Sequence, residues 1–123
     1  MFRDDLGRTW EGPIGFDRRE IAAQTPKSYG VYQVLAPESH GRQVVYIGIA
    51  TGATIRERLL KHVAGRGNWA LARLGDPSMF GVVWFRCDSL TAKQIESHVV
   101  TTNKPPFNVR PEYAHYIPSI AIH

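Results

Sequence analysis

Apolar positions along the chain switch between two periods, and the switches mark its elements. Gly30-Val31-Tyr32-Gln33-Val34-Leu35 and Gln43-Val44-Val45-Tyr46-Ile47-Gly48-Ile49 are rich in β-branched and aromatic residues and read as two strands. Pro37, Ser39, His40 and Gly41 lie between them and signal a turn, so an antiparallel hairpin is the simplest pairing. Thr54, with Glu57 in capping-box register, opens a helix to about Ala64, before Gly65 and Gly67. Residues 68–74 predict a short second helix. Met79 to Phe85 is a continuous apolar run, as expected of a central strand buried on both faces. Thr91 with Gln94 predicts the start of a last helix, running to about Thr102 and stopped by Pro105-Pro106. Residues 1–16 hold Gly7, Gly12, Pro13 and Gly15 without a clear period and read as an irregular arm. Asp17, with Glu20 three residues on, caps a short helix that ends before Pro26.

The predicted fold class is therefore α/β: a small sandwich with a three-stranded antiparallel sheet flanked by helices. It divides into an N-terminal arm with a short helix (1–29), the main domain (30–110) and a C-terminal tail packed on it (111–123). At 123 residues, 43% hydrophobic and 21% charged, the chain suits one globular core. The longest apolar run has seven residues, too few to cross a bilayer. The charged start Phe2-Arg3-Asp4-Asp5 has no signal-peptide core, and Cys87 stands alone, so a reducing, cytoplasmic setting is expected.

Net charge is +4, and its placement is more informative than its size. Residues 54–74 carry Arg56, Arg58, Lys61, Arg66 and Arg73 against the single acid Glu57. Such a stretch suits a polyanion such as nucleic acid, although a solvated helix face has the same composition. Arg56, Lys61, Arg66 and Arg73 are the candidate nucleic-acid contacts.

Three features break the packing pattern. At about 100° per residue, Ala92, Ile95, Val99 and Val100 form one arc of the last helix, and Glu96 falls inside it. A desolvated carboxylate is costly, so Glu96 either meets a cation, lines a site, or sits in an ordinary salt bridge. Arg58 and His62 lie four apart, stacked at the margin of the stripe formed by Ile55, Leu59 and Val63. They suit phosphate chemistry at a cleft edge, or else are a surface arginine and a half-buried histidine. Tyr32 and Tyr46 lie in the hairpin strands near Gly30 and Gly48, and most tyrosines so placed are packing residues. The chain has no Walker loop, dinucleotide fingerprint or flanked nucleophile.

Taken in order, Gly30-Val31-Tyr32, Tyr46-Ile47-Gly48, Arg58-x₃-His62, Glu96 and Pro106-Phe107-Asn108 resemble the signature of the GIY-YIG nuclease superfamily, across residues 30–108. The resemblance implies a divalent-metal-dependent DNA endonuclease, with RNA a possible substrate. Glu96 would hold Mg²⁺ or Mn²⁺, and the ion would polarise the scissile phosphate. Tyr32 would activate the attacking water, its high pKa lowered by Arg58, His62 or the metal, with His62 as proton relay. Arg58 would stabilise phosphate charge, Tyr46 would orient the nucleophile, and Asn108 would brace the site or contact the backbone. The chain departs from the family in a slightly long Tyr32–Tyr46 spacing and in His62, where some repair members carry tyrosine. Alternatives are a nuclease toxin or RNase on the same fold, or a nucleic-acid-binding module without cleavage.

Overall fold

The computed structural model describes residues 2–108. The tail expected at 111–123 lies outside the described residues. Five strands form one antiparallel sheet: β1 (Phe2–Arg3), β2 (Thr9–Gly15), β3 (Gly30–Leu35), β4 (Val44–Ala50) and β5 (Gly81–Arg86), in the order β1-β2-β5-β3-β4. Three helices accompany it: α1 (Arg18–Gln24), α2 (Ile55–Val63) and α3 (Ser89–Asn103). The α/β class holds, and the expected hairpin is present, with Tyr32 opposite Gly48 and Val34 opposite Tyr46. The sheet, however, has five strands rather than three.

The two extra strands come from the segment expected to be an irregular arm. Gly12 and Pro13 hid β2, because a proline cannot donate to a ladder and normally argues against a strand. The structure accommodates them in an irregularity: the β2–β5 register shifts between Glu11 and Ile14. The turn from β1 to β2 is held by Asp4. Its carboxylate accepts from the Leu6 and Arg8 amides, from Arg8 Nε at 2.7 Å and from Trp10 Nε1 at 2.9 Å.

β5 takes the central position expected of it, but it begins at Gly81, and Met79 is exposed in a 3₁₀ turn before it. β3 is buried along its whole length. Alternation splits its side chains between two cores. Tyr32 and Val34 join Val82 and Trp84 under Ile21, Ile55 and Leu59, on the face covered by α1 and α2. Val31 and Leu35 join Ile47 and Val83 under Ala92, Ile95 and Val99 of α3.

Helix starts follow the capping rules, with one shift. Asp17 accepts from the Glu20 amide, and Thr54 and Glu57 complete a reciprocal capping box. α3 starts three residues earlier than a Thr91 cap implies, because Asp88 is the cap and accepts from the Thr91 amide at 2.8 Å. Residues 68–74 give only a 3₁₀ turn, Leu71–Arg73. No helix among the described residues is long and apolar enough to cross a membrane.

Trp10 tests whether the N-terminal strands belong to the fold. Its ring is buried between Phe2 and Phe85. Trp10→Ala is expected to cost about 3–5 kcal/mol in urea denaturation, the usual range for a buried tryptophan. A loss below about 1 kcal/mol would mean that β1 and β2 form a detachable arm.

Candidate functional site

Tyr32 leaves β3 on the α2 side of the sheet, and its neighbour across the pair is Gly48 of β4. A Cβ at residue 48 would overlap the Tyr32 phenol, so glycine there lets the ring lie flat across the edge strand. Tyr46, two positions away on β4, shares this face, with ring centroids 6.3 Å apart. α2 descends over both rings and brings His62 between them, at 5.6 Å from Tyr32 and 5.3 Å from Tyr46. The Tyr32 hydroxyl and His62 Nε2 are hydrogen-bonded at 2.7 Å. The other ring nitrogen, Nδ1, accepts the Asn68 backbone N–H at 3.0 Å.

These groups line a cavity of about 370 Å³ at the free edge of β4, together with Arg58, Lys61, Arg66, Asn68 and Glu96. Tyr46 belongs to the α2-side core and Ile49 to the α3-side core, and both line the cavity. An edge strand can be approached from both faces, which is how Glu96 of α3 meets residues of α2. Glu96 is half-buried and makes no ion pair among the described residues, so the salt-bridge reading of its apolar setting does not hold. The arc that singled it out was too wide. Ala92, Ile95 and Val99 are buried, but Val100 is 40% exposed.

Burial dominates the electrostatics. It raises the Tyr32 phenol above its ordinary value, and the neighbouring Tyr46 raises it further; Arg58 pulls the other way with less effect. Tyr46 is also raised, by burial and then by the Glu96 charge. Burial alone lifts the Glu96 carboxyl. His62 is held down at about 4 by burial, with Arg58 and Lys61 adding to the effect. Arg58 thus lowers Tyr32 as expected, but burial and Tyr46 outweigh it. Arg58 Nε is buried without a hydrogen-bond partner.

Asn108 works at a distance from these side chains. Its amide accepts the Ile47 N–H at 3.0 Å and donates to the Ile47 carbonyl at 2.9 Å, so it pairs with the outer edge of β4 beside Tyr46. The remaining cations divide. Lys61 and Arg66 line the cavity. Arg56 donates from Nε and Nη2 to the Thr25 carbonyl, tying α2 to the end of α1. Arg73 is exposed on its 3₁₀ turn and lines neither this cavity nor its neighbour. Asn68 and Gly67 were not singled out in the sequence. An asparagine after Gly65 and Gly67 reads only as a loop, and nothing in the pattern ties it to His62.

A hard divalent ion fits this donor set. Mg²⁺ keeps several waters and takes one or two carboxylates with substrate phosphate, so one unpaired carboxylate on an open cavity suffices. No cluster of three or more His, Cys, Asp or Glu capable of holding a metal occurs among the described residues.

In comparison with known proteins, the chain matches no family model, no curated protein and no solved structure.

The depressed His62 has a stability consequence with a definite sign. The folded state keeps it neutral to about pH 4, whereas the unfolded chain protonates it near 6.5. Its contribution is therefore fully present above pH 6.5 and is lost as pH falls toward 4, by on the order of 3 kcal/mol. Thermal melts of the protein and of His62→Gln should diverge in their pH dependence across that window. Parallel curves would show that His62 is exposed and freely titrating.

Proposed function

We propose that this protein is a divalent-metal-dependent endonuclease of the GIY-YIG type acting on DNA. The observation that carries the reading is the convergence of Tyr32, Tyr46, Arg58, His62 and Glu96, from two strands and two helices, on one cavity. The sequence resemblance named these five residues together with Asn108, and the five line one cavity while Asn108 does not line it.

The chemistry is phosphodiester hydrolysis. A water oxygen attacks phosphorus, its proton passes to the deprotonated Tyr32 oxygen, and the bond to the leaving oxygen breaks. Tyr46, beside Tyr32, orients the water. Arg58 has a buried Nε without a partner and faces the cavity, so it is placed to take charge from the phosphate. Glu96 would hold the ion, which when bound supplies charge that favours the phenolate and stabilises the leaving oxygen. The raised state of Tyr32 makes this positive charge a requirement.

The path of the substrate backbone follows from the cations. Arg58, Lys61 and Arg66 line the catalytic cavity and also a second one of about 470 Å³, completed by Ala53, Glu57 and Leu60. One nucleic-acid strand laid along this shared wall would meet three positive charges. Glu57, the acid among them, has its carboxylate committed to the Thr54 amide. Arg56 is committed to Thr25 and does not join the wall.

Cleavage of plasmid, branched, single-stranded and RNA substrates with and without Mg²⁺ tests the function. Tyr32→Phe should bind DNA normally and lose at least 10²-fold in rate, the lower range for an acid–base group. Glu96→Gln should abolish metal-dependent cleavage while melting at or above the wild-type temperature, because it removes a desolvated charge without an ion pair. Full activity in either variant would sink the assigned role.

Binding divides the cations further. Lys61→Gln combined with Arg66→Gln should reduce the slope of log affinity against log salt by about two units, whereas Arg73→Gln should leave it unchanged. A wild-type slope in the double variant would place the strand on another surface.

A further inference from the structure

The hydrogen bonds around His62 fix more than its position. A neutral imidazole carries one N–H and one bare nitrogen. Nδ1 lies 3.0 Å from the Asn68 backbone nitrogen, whose hydrogen points at it. A proton on Nδ1 would set two donors against each other, so Nδ1 is the bare nitrogen. The single N–H then resides on Nε2, the atom 2.7 Å from the Tyr32 hydroxyl. His62 is the donor in that bond, and Tyr32 the acceptor.

We propose that the Gly67-Asn68 turn is the positioning element of this site, locking His62 in the Nε2–H form so that it donates to the Tyr32 oxygen instead of receiving its proton. The catalytic half of this inference rests on the nuclease reading; the tautomer does not. A donor at the phenol oxygen favours phenolate over phenol, which is the direction a tyrosine base needs. It also turns the Tyr32 hydrogen away from His62. His62 is thereby a fixed dipole rather than a proton relay.

The turn is built to hold this geometry. A Cβ at residue 67 would overlap the His62 ring, so the backbone can pass close to Nδ1 only as glycine. Asn68 is anchored three times through its side chain. Oδ1 accepts the Ala70 and Leu71 amides at 2.9 and 3.0 Å, and Nδ2 donates to the Phe107 carbonyl at 2.9 Å. The last bond joins the turn to the segment whose next residue, Asn108, pairs with β4. The support for His62 thus crosses from the loop after α2 to the strand that carries Tyr46. Asn68 touches the ring only through its main chain, and its side chain acts by holding that main chain still.

The test reads the ring itself. The full chain labelled with ¹⁵N-histidine, free of metal and DNA, gives the protonation of each imidazole nitrogen, with His62 assigned by its disappearance in His62→Gln. A protonated Nε2 and an imine-type Nδ1 are expected in the wild type. A protonated Nδ1, or rapid averaging of two tautomers, overturns the proposal. Asn68→Ala should give a mixture of tautomers and reduce kcat roughly tenfold with KM unchanged, the scale of one displaced hydrogen bond. Asn68→Ser keeps an acceptor for the Ala70 and Leu71 amides and should restore the wild-type spectrum and most of kcat. An unaltered spectrum in Asn68→Ala, or an altered spectrum with wild-type kcat, overturns the positioning role. If Asn68→Ala does not fold, the wild-type and Asn68→Ser spectra decide. Absence of cleavage by the wild type on every substrate would remove the nuclease reading while leaving the tautomer decided by the spectrum.

Discussion

A phenol oxygen enclosed between a sheet and a helix must find a partner, because an unpaired buried hydroxyl costs free energy comparable to the bond it lacks. At Tyr32 that partner is His62, and much of the local architecture serves the contact. Gly48 yields the space for the ring on the paired strand. Ile55 and Leu59 seat α2 on the core at the height that brings His62 over the phenol. Arg56 fastens the same helix to the end of α1, and the Asn68 turn closes the far side of the imidazole. Moving any of these elements would leave two polar groups buried with one hydrogen bond fewer.

The same enclosure sets the electrostatic character of the cavity. Desolvation raises Tyr32, Tyr46 and Glu96 and lowers His62, so it shifts each of these groups toward its neutral form. Arg58, Lys61 and Arg66 keep the wall positive. On the nuclease reading proposed above, such a wall would suit a phosphodiester that arrives with a counter-cation. Glu96, half-buried on α3, faces this open cavity instead of a closed core, and an ion held there would have room for the waters it retains.

The elements legible in the sequence were those where local pattern and tertiary burial agree. β3, apolar but for Gln33, and the continuous apolar core of β5 are buried because both faces of the sheet are covered, and α2 carries a complete capping box. β2 was not legible, since Gly12 and Pro13 interrupt it and only its partner β5 makes it a strand. The start of α3 was misread because Thr91 and Asp88 both satisfy the N-cap chemistry, and the choice between them is settled by packing. Glu96 was found as an anomaly on an apolar arc, although Val100, one member of that arc, is exposed. Asn68 left no trace, because its link to His62 runs through a backbone amide, which every residue but proline possesses.

The pairing of Asn108 with Ile47 bears on how the molecule behaves in company. β4 is an outer strand, and an outer strand offers unpaired amides and carbonyls to any extended peptide that comes near. The Asn108 side chain presents a donor and an acceptor in the spacing of a peptide unit and occupies both groups of Ile47. It imitates one residue of a sixth strand, so the ladder is blocked at its middle. The cavity can therefore lie at the margin of the sheet while Ile47, the residue next to Tyr46, has no backbone group left to offer a neighbouring strand.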